Sequence, residues 1–197
     1  MSNQDIYQQR YLAHQERKRK MFASTYGTSK FKKYSKKEQK VFEEILKNRS
    51  SQRTFNREPV DIDKILELAE YRPSSCDRRS VEMKVISDRD DKDLLSGLLV
   101  GGVGFIQRAD KILLCMAWED AYKSPAEKDF MHYIDTGVLV QTLYLICESL
   151  NVGICYVNPN VREQNKELFY KRFIPEGFIF TGALVVGNYS LKHNKDL

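Results

Sequence analysis

The segment from Pro125 to Leu150 restricts the fold of this chain more than any other part of its sequence. Its length corresponds to about seven helical turns, and apolar side chains surround the helix almost completely. These side chains include Val138, Val140, Leu143, Leu145 and Ile146. A helix with apolar residues on all sides is buried, either in the core of one chain or between subunits. The other segments therefore have to cover this helix.

Two amphipathic helices are predicted before the first strand. The first covers residues 36–48, and its apolar face consists of Val41, Phe42, Ile45 and Leu46. The second follows Pro59, has Asp61 as its N-cap and stops at Pro73. Its apolar face consists of Ile62, Ile65, Leu66 and Ala69. We expect the apolar face of the second helix to point inward.

Strand-like and helical segments alternate after Pro73. Val81, Met83 and Val85 indicate a strand with one buried face. Residues 111–117 are apolar after Lys111, as in a central strand. Residues 153–158 and 181–187 supply two further strands. Helices are predicted at residues 93–102 and 161–173, and the long helix lies between the second and third strands. This order predicts an α+β fold, a three-layer sandwich with a central sheet of four or five strands.

Basic residues are concentrated at the N-terminus. Residues 1–40 contain eleven lysines and arginines against three acidic residues, a net charge of +8, while the remainder carries −3. Such an arm can attract nucleic acid, an anionic membrane surface or an acidic partner. No aromatic stacking pattern or nucleic-acid motif accompanies the charge, which favours a partly helical arm that packs on a neighbouring subunit. We therefore divide the chain into a basic arm, residues 1–35, and a compact domain, residues 36–197.

The sequence argues against membrane, secreted and zinc-binding proteins. No apolar run approaches the roughly 20 residues that cross a bilayer, and the polar N-terminus lacks the apolar centre of a secretory signal. Four cysteines without a C-x-x-C pair do not form a zinc pattern. Cys115 and Cys147 lie in apolar runs and are expected in the core. We expect a cytoplasmic protein without a metal.

Three polar segments are candidates for binding chemistry. Two arginines and two serines at residues 49–53 offer the cationic and hydroxyl groups that hold a phosphate. A Pro-Ser-Ser loop at residues 73–75 lies between a helix and a strand. At residues 150–159 the long helix leads into a strand whose end can present backbone N–H groups to a planar ligand. Each segment alone also fits ordinary helix-end or turn chemistry.

In their order and spacing, these segments resemble the nitroreductase family over residues 40–190. Residues 49–55 (Arg-Ser-Ser-Gln-Arg-Thr-Phe) match its opening motif, and residues 73–77 match the first half of Pro-Ser-Ser-x-Asn-x-Gln-Pro-Trp. Residues 135–137 and 150–153 resemble the two ends of its buried helix, and residues 185–189 resemble its closing strand. The resemblance implies a three-layer α/β/α nitroreductase-like sandwich with a central mixed four- or five-stranded sheet, and a homodimer that holds FMN at its interface.

The resemblance also implies roles for residues of the same chain. The FMN phosphate and ribityl chain would be held by Arg49, Ser50 and Ser51. Arg53 would approach N1 and O2 of the flavin ring, where negative charge develops on reduction. Val157 and Asn158 would lie along the ring, with the backbone N–H near Asn158 directed at N5. A second phosphate cation would be Lys192.

The partner subunit would contribute the Pro-Ser-Ser segment, which consists of Pro73, Ser74, Ser75 and Asp77. The family has an asparagine where this chain has Asp77, and Arg79-Ser80-Val81 replaces its Gln-Pro-Trp. An ionised carboxylate only accepts hydrogen bonds. Asp77 near a phosphate therefore requires compensation by Arg78, by Arg79 or by an N–H donor of the flavin, and the substrate pocket is expected to be divergent.

Other polar and aromatic residues are expected to support the fold rather than to take part in the chemistry. Asp135 is expected to be a helix N-cap, and His132 a surface or interface residue. Trp118 and Tyr122 either wall a pocket or pack in the core. The Gly-Gly-Val-Gly sequence at residues 101–104 follows a helix rather than a strand, so we expect a flexible turn near the flavin face instead of a phosphate loop.

The resemblance implies an FMN-dependent oxidoreductase with NAD(P)H as reductant and a nitroaromatic or quinone as acceptor. The protein would supply position and electrostatics, and no side chain is assigned as a catalytic acid or base. One alternative is a different flavin reaction on the same fold, such as dehalogenation, ene reduction or flavin breakdown, with a lid in residues 101–132. The other is a non-catalytic binding protein that uses the basic arm.

Overall fold

The computed structural model describes residues 32–56 and 58–189, together with residues 9, 12, 13, 15–17, 19 and 20. The chain forms two compact units, Met1–Glu43 and Glu44–Leu197. In the first unit, the Glu16 carboxylate pairs with Arg19 at 3.2 Å and with Lys20 at 3.6 Å, both at helical spacing. The division into a basic arm and a compact domain at residue 35 stays a prediction.

The described residues from 36 onward form helices and strands in the predicted order. The helices are α1 (Lys36–Asn48), α2 (Ile62–Ala69), α3 (Arg89–Leu98), α4 (Pro125–Ser149) and α5 (Lys166–Phe173). The strands are β1 (Val81–Ile86), β2 (Lys111–Trp118), β3 (Gly153–Val157) and β4 (Phe178–Gly187). Within the described part of the chain, none of the helices combines the length and apolarity that a bilayer crossing requires.

The four strands form one antiparallel sheet in the order β1-β2-β4-β3. β4 lies between β2 and β3 and pairs antiparallel with both, so β2 and β3 run in the same direction without touching. The connection through α4 therefore joins two strands that are not neighbours. The four strands agree with the predicted four or five, whereas the predicted mixed sheet is wrong, because every pairing among the described strands is antiparallel.

Helices cover both faces of the sheet. In the central strand β2, the residues from Ile112 to Ala117 are all buried, although alternate side chains point to opposite faces. One face packs against α2 and α4 around Leu113 and Cys115. On the other face, the Phe169 ring of α5 lies 4.7 Å from the Phe180 ring of β4. The predicted three-layer α/β/α arrangement is confirmed.

The long helix α4 is buried on one side only. It begins at a capping box, in which Ser124 and Glu127 each accept a hydrogen bond from the other's backbone N–H. Its buried side faces the sheet and includes His132, Thr136, Leu139, Leu143 and Cys147. Outside this buried side, Phe130, Tyr133 and Ile134 are 47%, 48% and 50% exposed. The described part of the chain therefore leaves these apolar side chains of α4 about half exposed.

The first helix has the predicted bounds, but none of its residues is buried. Leu46, in the second unit, is 43% exposed. Amphipathic spacing shows that a helix has an apolar face but not what covers it.

Local predictions within the core are confirmed. Asp61 caps α2, because its side chain accepts a hydrogen bond from the Lys64 N–H at 3.0 Å. Cys115 and Cys147 are fully buried, and burial raises the pKa of each thiol to about 12. Both cysteines therefore act as small apolar core residues.

Candidate functional site

The segment at residues 49–53 lies against the outer edge of β3. The Gln52 N–H donates to the Ile154 carbonyl at 2.9 Å. The Ser51 hydroxyl lies 2.9 Å from the Tyr144 hydroxyl of α4, which also accepts the Tyr156 N–H at 2.9 Å. Tyr144, which the sequence analysis did not single out as a functional residue, therefore fixes Ser51 relative to the end of the sheet.

Arg49 and Arg53 hold their charges near aromatic rings. The Arg49 guanidinium carbon lies 5.1 Å from the centre of the Tyr144 ring, and that of Arg53 lies 6.0 Å from the Phe105 ring. Neither arginine forms an ion pair with a carboxylate of a residue that the structure describes. The Ser50 hydroxyl nearby accepts the Gln52 side-chain amide at 2.8 Å. Two positive charges and two hydroxyls are thus available to an anion.

Cys155 of β3 interacts with both Ser51 and Arg53. Burial raises the pKa of its thiol, and the positive charge of Arg53 and hydrogen bonds with Ser51 and Arg53 lower it by less. The thiol therefore stays neutral at pH 7. It adds no negative charge next to Arg53.

Val157 and Asn158 lie where β3 ends, beside the glycine turn at residues 101–104. Val157 is buried and Asn158 is exposed. Gly102 has a φ of +90°, and a Cβ at this position would lie 2.4 Å from Ile106 and 3.2 Å from Val157. The predicted turn is therefore present and contacts Val157. We call Arg49, Ser50, Ser51, Arg53, Val157 and Asn158 the β3-edge group.

Residues 73–80, which we call the Ser75 loop, form a strained turn before β1. Cys76, Asp77 and Arg79 have φ values of 49°, 53° and 57°, in the left-handed region that side chains disfavour. The Arg79 side chain donates to Asp77 at 2.8 Å, whereas both terminal nitrogens of Arg78 donate to Glu127 at 3.1 Å. Arg79 is therefore the residue that compensates the charge of Asp77.

Asp135 is not a helix N-cap, as predicted, but a buried acceptor in the middle of α4. Its exposed fraction is 3%. Oδ1 accepts the Ser75 N–H and the Ser75 hydroxyl, both at 2.8 Å, and Oδ2 accepts the Tyr122 hydroxyl at 2.9 Å. The Ser-Pro-x-Glu sequence at residues 124–127 is the signal that marks the true start of the helix.

A cavity of about 210 Å³ lies near the start of α4. It is lined by Glu119, Tyr122, Lys128, His132 and Ile179, and by none of the predicted site residues. His132 is buried in its own chain, which corrects its predicted surface or interface location, and burial lowers the pKa of its imidazole. Tyr122 both packs in the core and walls this cavity.

The β3-edge group and the Ser75 loop lie on opposite sides of α4. Tyr144, which contacts Ser51, and Asp135, which contacts Ser75, are nine residues apart. Nine residues correspond to about 14 Å along the helix axis and about half a turn around it. One chain therefore does not bring the two predicted halves of the site together. Lys192 lies outside the described residues.

Solved structures with the same fold include nitroreductases. Sequence comparisons with protein-family models and with curated proteins find no match. A Bacteroides thetaiotaomicron VPI-5482 structure, which carries the name NADH dehydrogenase/NAD(P)H nitroreductase, is 22% identical with a TM-score of 0.68, over 80% of this chain and 91% of that one. An FMN-dependent nitroreductase from Clostridium difficile R20291 is 22% identical with a TM-score of 0.64, over 77% and 91%. A nitroreductase family protein from Streptococcus pneumoniae TIGR4 is 14% identical with a TM-score of 0.68, over 79% and 94%. The chain therefore has the nitroreductase fold, which confirms at the level of the fold the resemblance drawn from its motifs.

Proposed function

We propose that this chain is a flavin oxidoreductase that binds FMN between two copies of itself. The observation that carries the proposal is the β3-edge group, in which Arg49 and Arg53 have no carboxylate partner among the described residues. Guanidinium groups next to hydroxyl donors suit a phosphate. One of the solved structures with this fold is named as FMN-dependent.

In this proposal each residue of the β3-edge group has one task. Arg49, Ser50 and Ser51 hold the phosphate and ribityl chain, and Tyr144 fixes the Ser51 hydroxyl. Arg53 places a positive charge where the ring gains negative charge on reduction. Val157 and Asn158 border the ring, with the backbone N–H near Asn158 directed at N5. We keep Lys192 as a proposed second phosphate cation.

The chain itself supplies binding, orientation and positive charge. FMN, when bound, would supply the redox chemistry, a hydride transfer from NAD(P)H to an electron-poor acceptor such as a nitroaromatic or a quinone. The name of the Bacteroides thetaiotaomicron structure supports the choice of a nicotinamide as reductant. Because burial raises the pKa of Cys155, its neutral thiol leaves the charge of Arg53 undiminished.

A second chain completes the site in this proposal. The Ser75 loop lies on the side of α4 opposite to the β3-edge group, so a flavin that contacts both takes the loop from a partner subunit. The helix α4, with Phe130 and Ile134 about half exposed, supplies apolar surface for the contact. The ion pair between Asp77 and Arg79 lets the loop approach a phosphate without an unpaired carboxylate.

Titration of the purified protein with FMN, followed by the quenching of flavin fluorescence, tests the proposal. We expect Arg49→Ala and Arg53→Ala each to raise the Kd about ten-fold or more, since hydrogen bonds to charged groups contribute roughly 1.5–3 kcal/mol. The control is Arg89→Ala, because the Arg89 side chain is 88% exposed. The control is expected to keep the wild-type Kd.

Anaerobic addition of NAD(P)H to the FMN-loaded protein tests the reaction. The proposal predicts that the visible absorbance of the flavin bleaches and returns when a quinone or nitroaromatic is added. Bound flavin that stays oxidised would contradict the choice of reductant and favour another flavin reaction. Absence of FMN binding would contradict the proposal as a whole and favour the binding-protein alternative.

A further inference from the structure

The carboxylate of Asp135 contacts both ends of the left-handed part of the Ser75 loop. At the N-terminal end, Oδ1 accepts the backbone N–H and the hydroxyl of Ser75. At the C-terminal end, Ser80 contacts the Tyr122 hydroxyl, which donates to Oδ2, and the Ser80 hydroxyl lies 3.4 Å from Oδ2. Cys76, Asp77 and Arg79, the residues with positive φ, all lie between these two attachments.

A turn with three left-handed side-chain residues persists only where its surroundings hold it. Hydrogen bonds within the loop, such as that from the Arg79 N–H to the Ser74 hydroxyl at 3.0 Å, belong to the turn and do not attach it to the fold. Arg78, through Glu127, and Arg79, through the Glu70 carbonyl, attach the middle of the loop to the fold. Asp135 attaches both of its ends, and because it is buried in α4 it cannot move without the helix. Burial raises the pKa of Tyr122, so its hydroxyl remains a donor through the neutral range.

We propose that Asp135 is a positioning residue, which holds the Ser75 loop by both ends and so sets the wall that this loop presents to the flavin of a partner subunit. The flavin part of this inference rests on the proposed function. α4 then serves both halves of the site, through Tyr144 for Ser51 and through Asp135 for Ser75. Because Asp135 and Tyr144 both belong to α4, a shift of this helix would move the β3-edge group and the Ser75 loop together.

The first test is hydrogen exchange of the protein without flavin, comparing wild type with Asp135→Asn. The substitution keeps the shape of the side chain but replaces one acceptor oxygen with a donor. We expect amides of residues 75–80 to exchange on the order of ten-fold faster, while the amides of β2 keep their protection. The control is Asp129→Asn, at an exposed position on the same helix, which is expected to change neither set.

The second readout is the flavin itself. Asp135→Asn is expected to raise the Kd for FMN by about ten-fold and to change the visible circular dichroism of the bound flavin. Should Asp135→Asn fail to fold, Tyr122→Phe, which removes one donor to the carboxylate and keeps the packing of the ring, is judged by the same two readouts.

Three results would overturn the inference. Wild-type exchange at residues 75–80 would show that Asp135 does not hold the loop, and equally faster exchange in β2 would show a general structural role. Faster exchange in the loop with an unchanged Kd and dichroism would show that the loop does not border the flavin. Absence of FMN binding by the wild type would overturn the proposed function, whereas the exchange measurement would still decide whether Asp135 positions the loop.

Discussion

Arg79 converts Asp77 from an unfavourable neighbour of a phosphate into one partner of an ion pair. Their side chains lie 2.8 Å apart and are 23% and 28% exposed, so the pair is partly screened by water and its contribution to stability is modest, roughly 1 kcal/mol or less. We expect its larger effect to be on charge, because Arg79 neutralises the Asp77 carboxylate that the Ser75 loop would otherwise present to a partner subunit. The pairing could be foreseen from the sequence as one of three options, but the choice of Arg79 over Arg78 required the structure.

Arg79→Ala is expected to weaken FMN binding by exposing the charge of Asp77. We predict a loss of roughly 1 kcal/mol, or about five-fold in Kd, measured by fluorescence titration. The double variant Arg79→Ala/Asp77→Asn removes the uncompensated charge and is expected to recover most of the wild-type affinity. Equal losses in the single and double variants would show that the charge of Asp77 is not felt at the site.

The ion pair of Arg78 and Glu127 makes a second residue-scale prediction, on pH. The hydrogen bond from Arg78 lowers the pKa of Glu127 from its ordinary value of 4.5. The pair therefore stabilises the fold above that pH, and the stabilisation is lost as the pH falls through the lowered pKa. Urea unfolding should show that Glu127→Gln is less stable than wild type at pH 7 and that the difference shrinks below pH 4.5. A difference that does not depend on pH would contradict this assignment.

At the scale of elements, local patterns predicted each helix and strand from residue 36 onward, while long-range pairing did not follow from them. Periodicity located α2 and its cap at Asp61 because both depend on residues a few positions apart. Strand direction depends on which strands become neighbours, so the insertion of β4 between β2 and β3 was missed. What covers the apolar face of α1 likewise does not follow from its local pattern. Asp135 is not an N-cap because the capping box at Ser124 starts the helix before it.

The glycine turn at residues 101–104 yields a prediction for one element. Gly102→Ala combines a φ of +90° with a Cβ that would lie 2.4 Å from Ile106. We expect a loss of about 1–3 kcal/mol in the free energy of unfolding, measured with urea. Gly97→Ala is the matched control, because Gly97 lies in α3 with no atom within 4 Å of the added Cβ, and it is expected to stabilise by up to roughly 1 kcal/mol. A neutral Gly102→Ala would show that the turn rearranges freely.

At the scale of the whole molecule, the site and the apolar surface of α4 point to the same assembly. The β3-edge group and the Ser75 loop are separated by α4 within one chain, and the outward side of this helix exposes Phe130, Tyr133 and Ile134. A partner placed against α4 would cover that surface and bring its own Ser75 loop toward the β3-edge group. Neither the separation of the two halves of the site nor the exposed apolar side chains of α4 requires a dimer by itself. A flavin bound between two chains would account for both.

Ile134→Glu is expected to weaken the dimer and FMN binding together. A carboxylate in the centre of an apolar contact loses its hydration without a partner, and we predict a rise of at least about ten-fold in the dimer dissociation constant. Leu168→Glu is the control, since Leu168 on α5 is equally exposed at 50% but lies outside the proposed contact. Loss of FMN binding by an intact dimer would show that flavin binding does not depend on the dimer contact at α4.

Sedimentation of the wild-type protein with FMN tests whether two chains share the flavin, when it is recorded at once in the ultraviolet band of the protein and the visible band of the flavin. We predict that the flavin sediments with a dimer of the 23.0 kDa chain, at one flavin per chain. Flavin that sediments with a monomer would contradict the shared site. Flavin that stays behind while the protein sediments would contradict the assignment of this chain as a flavoprotein.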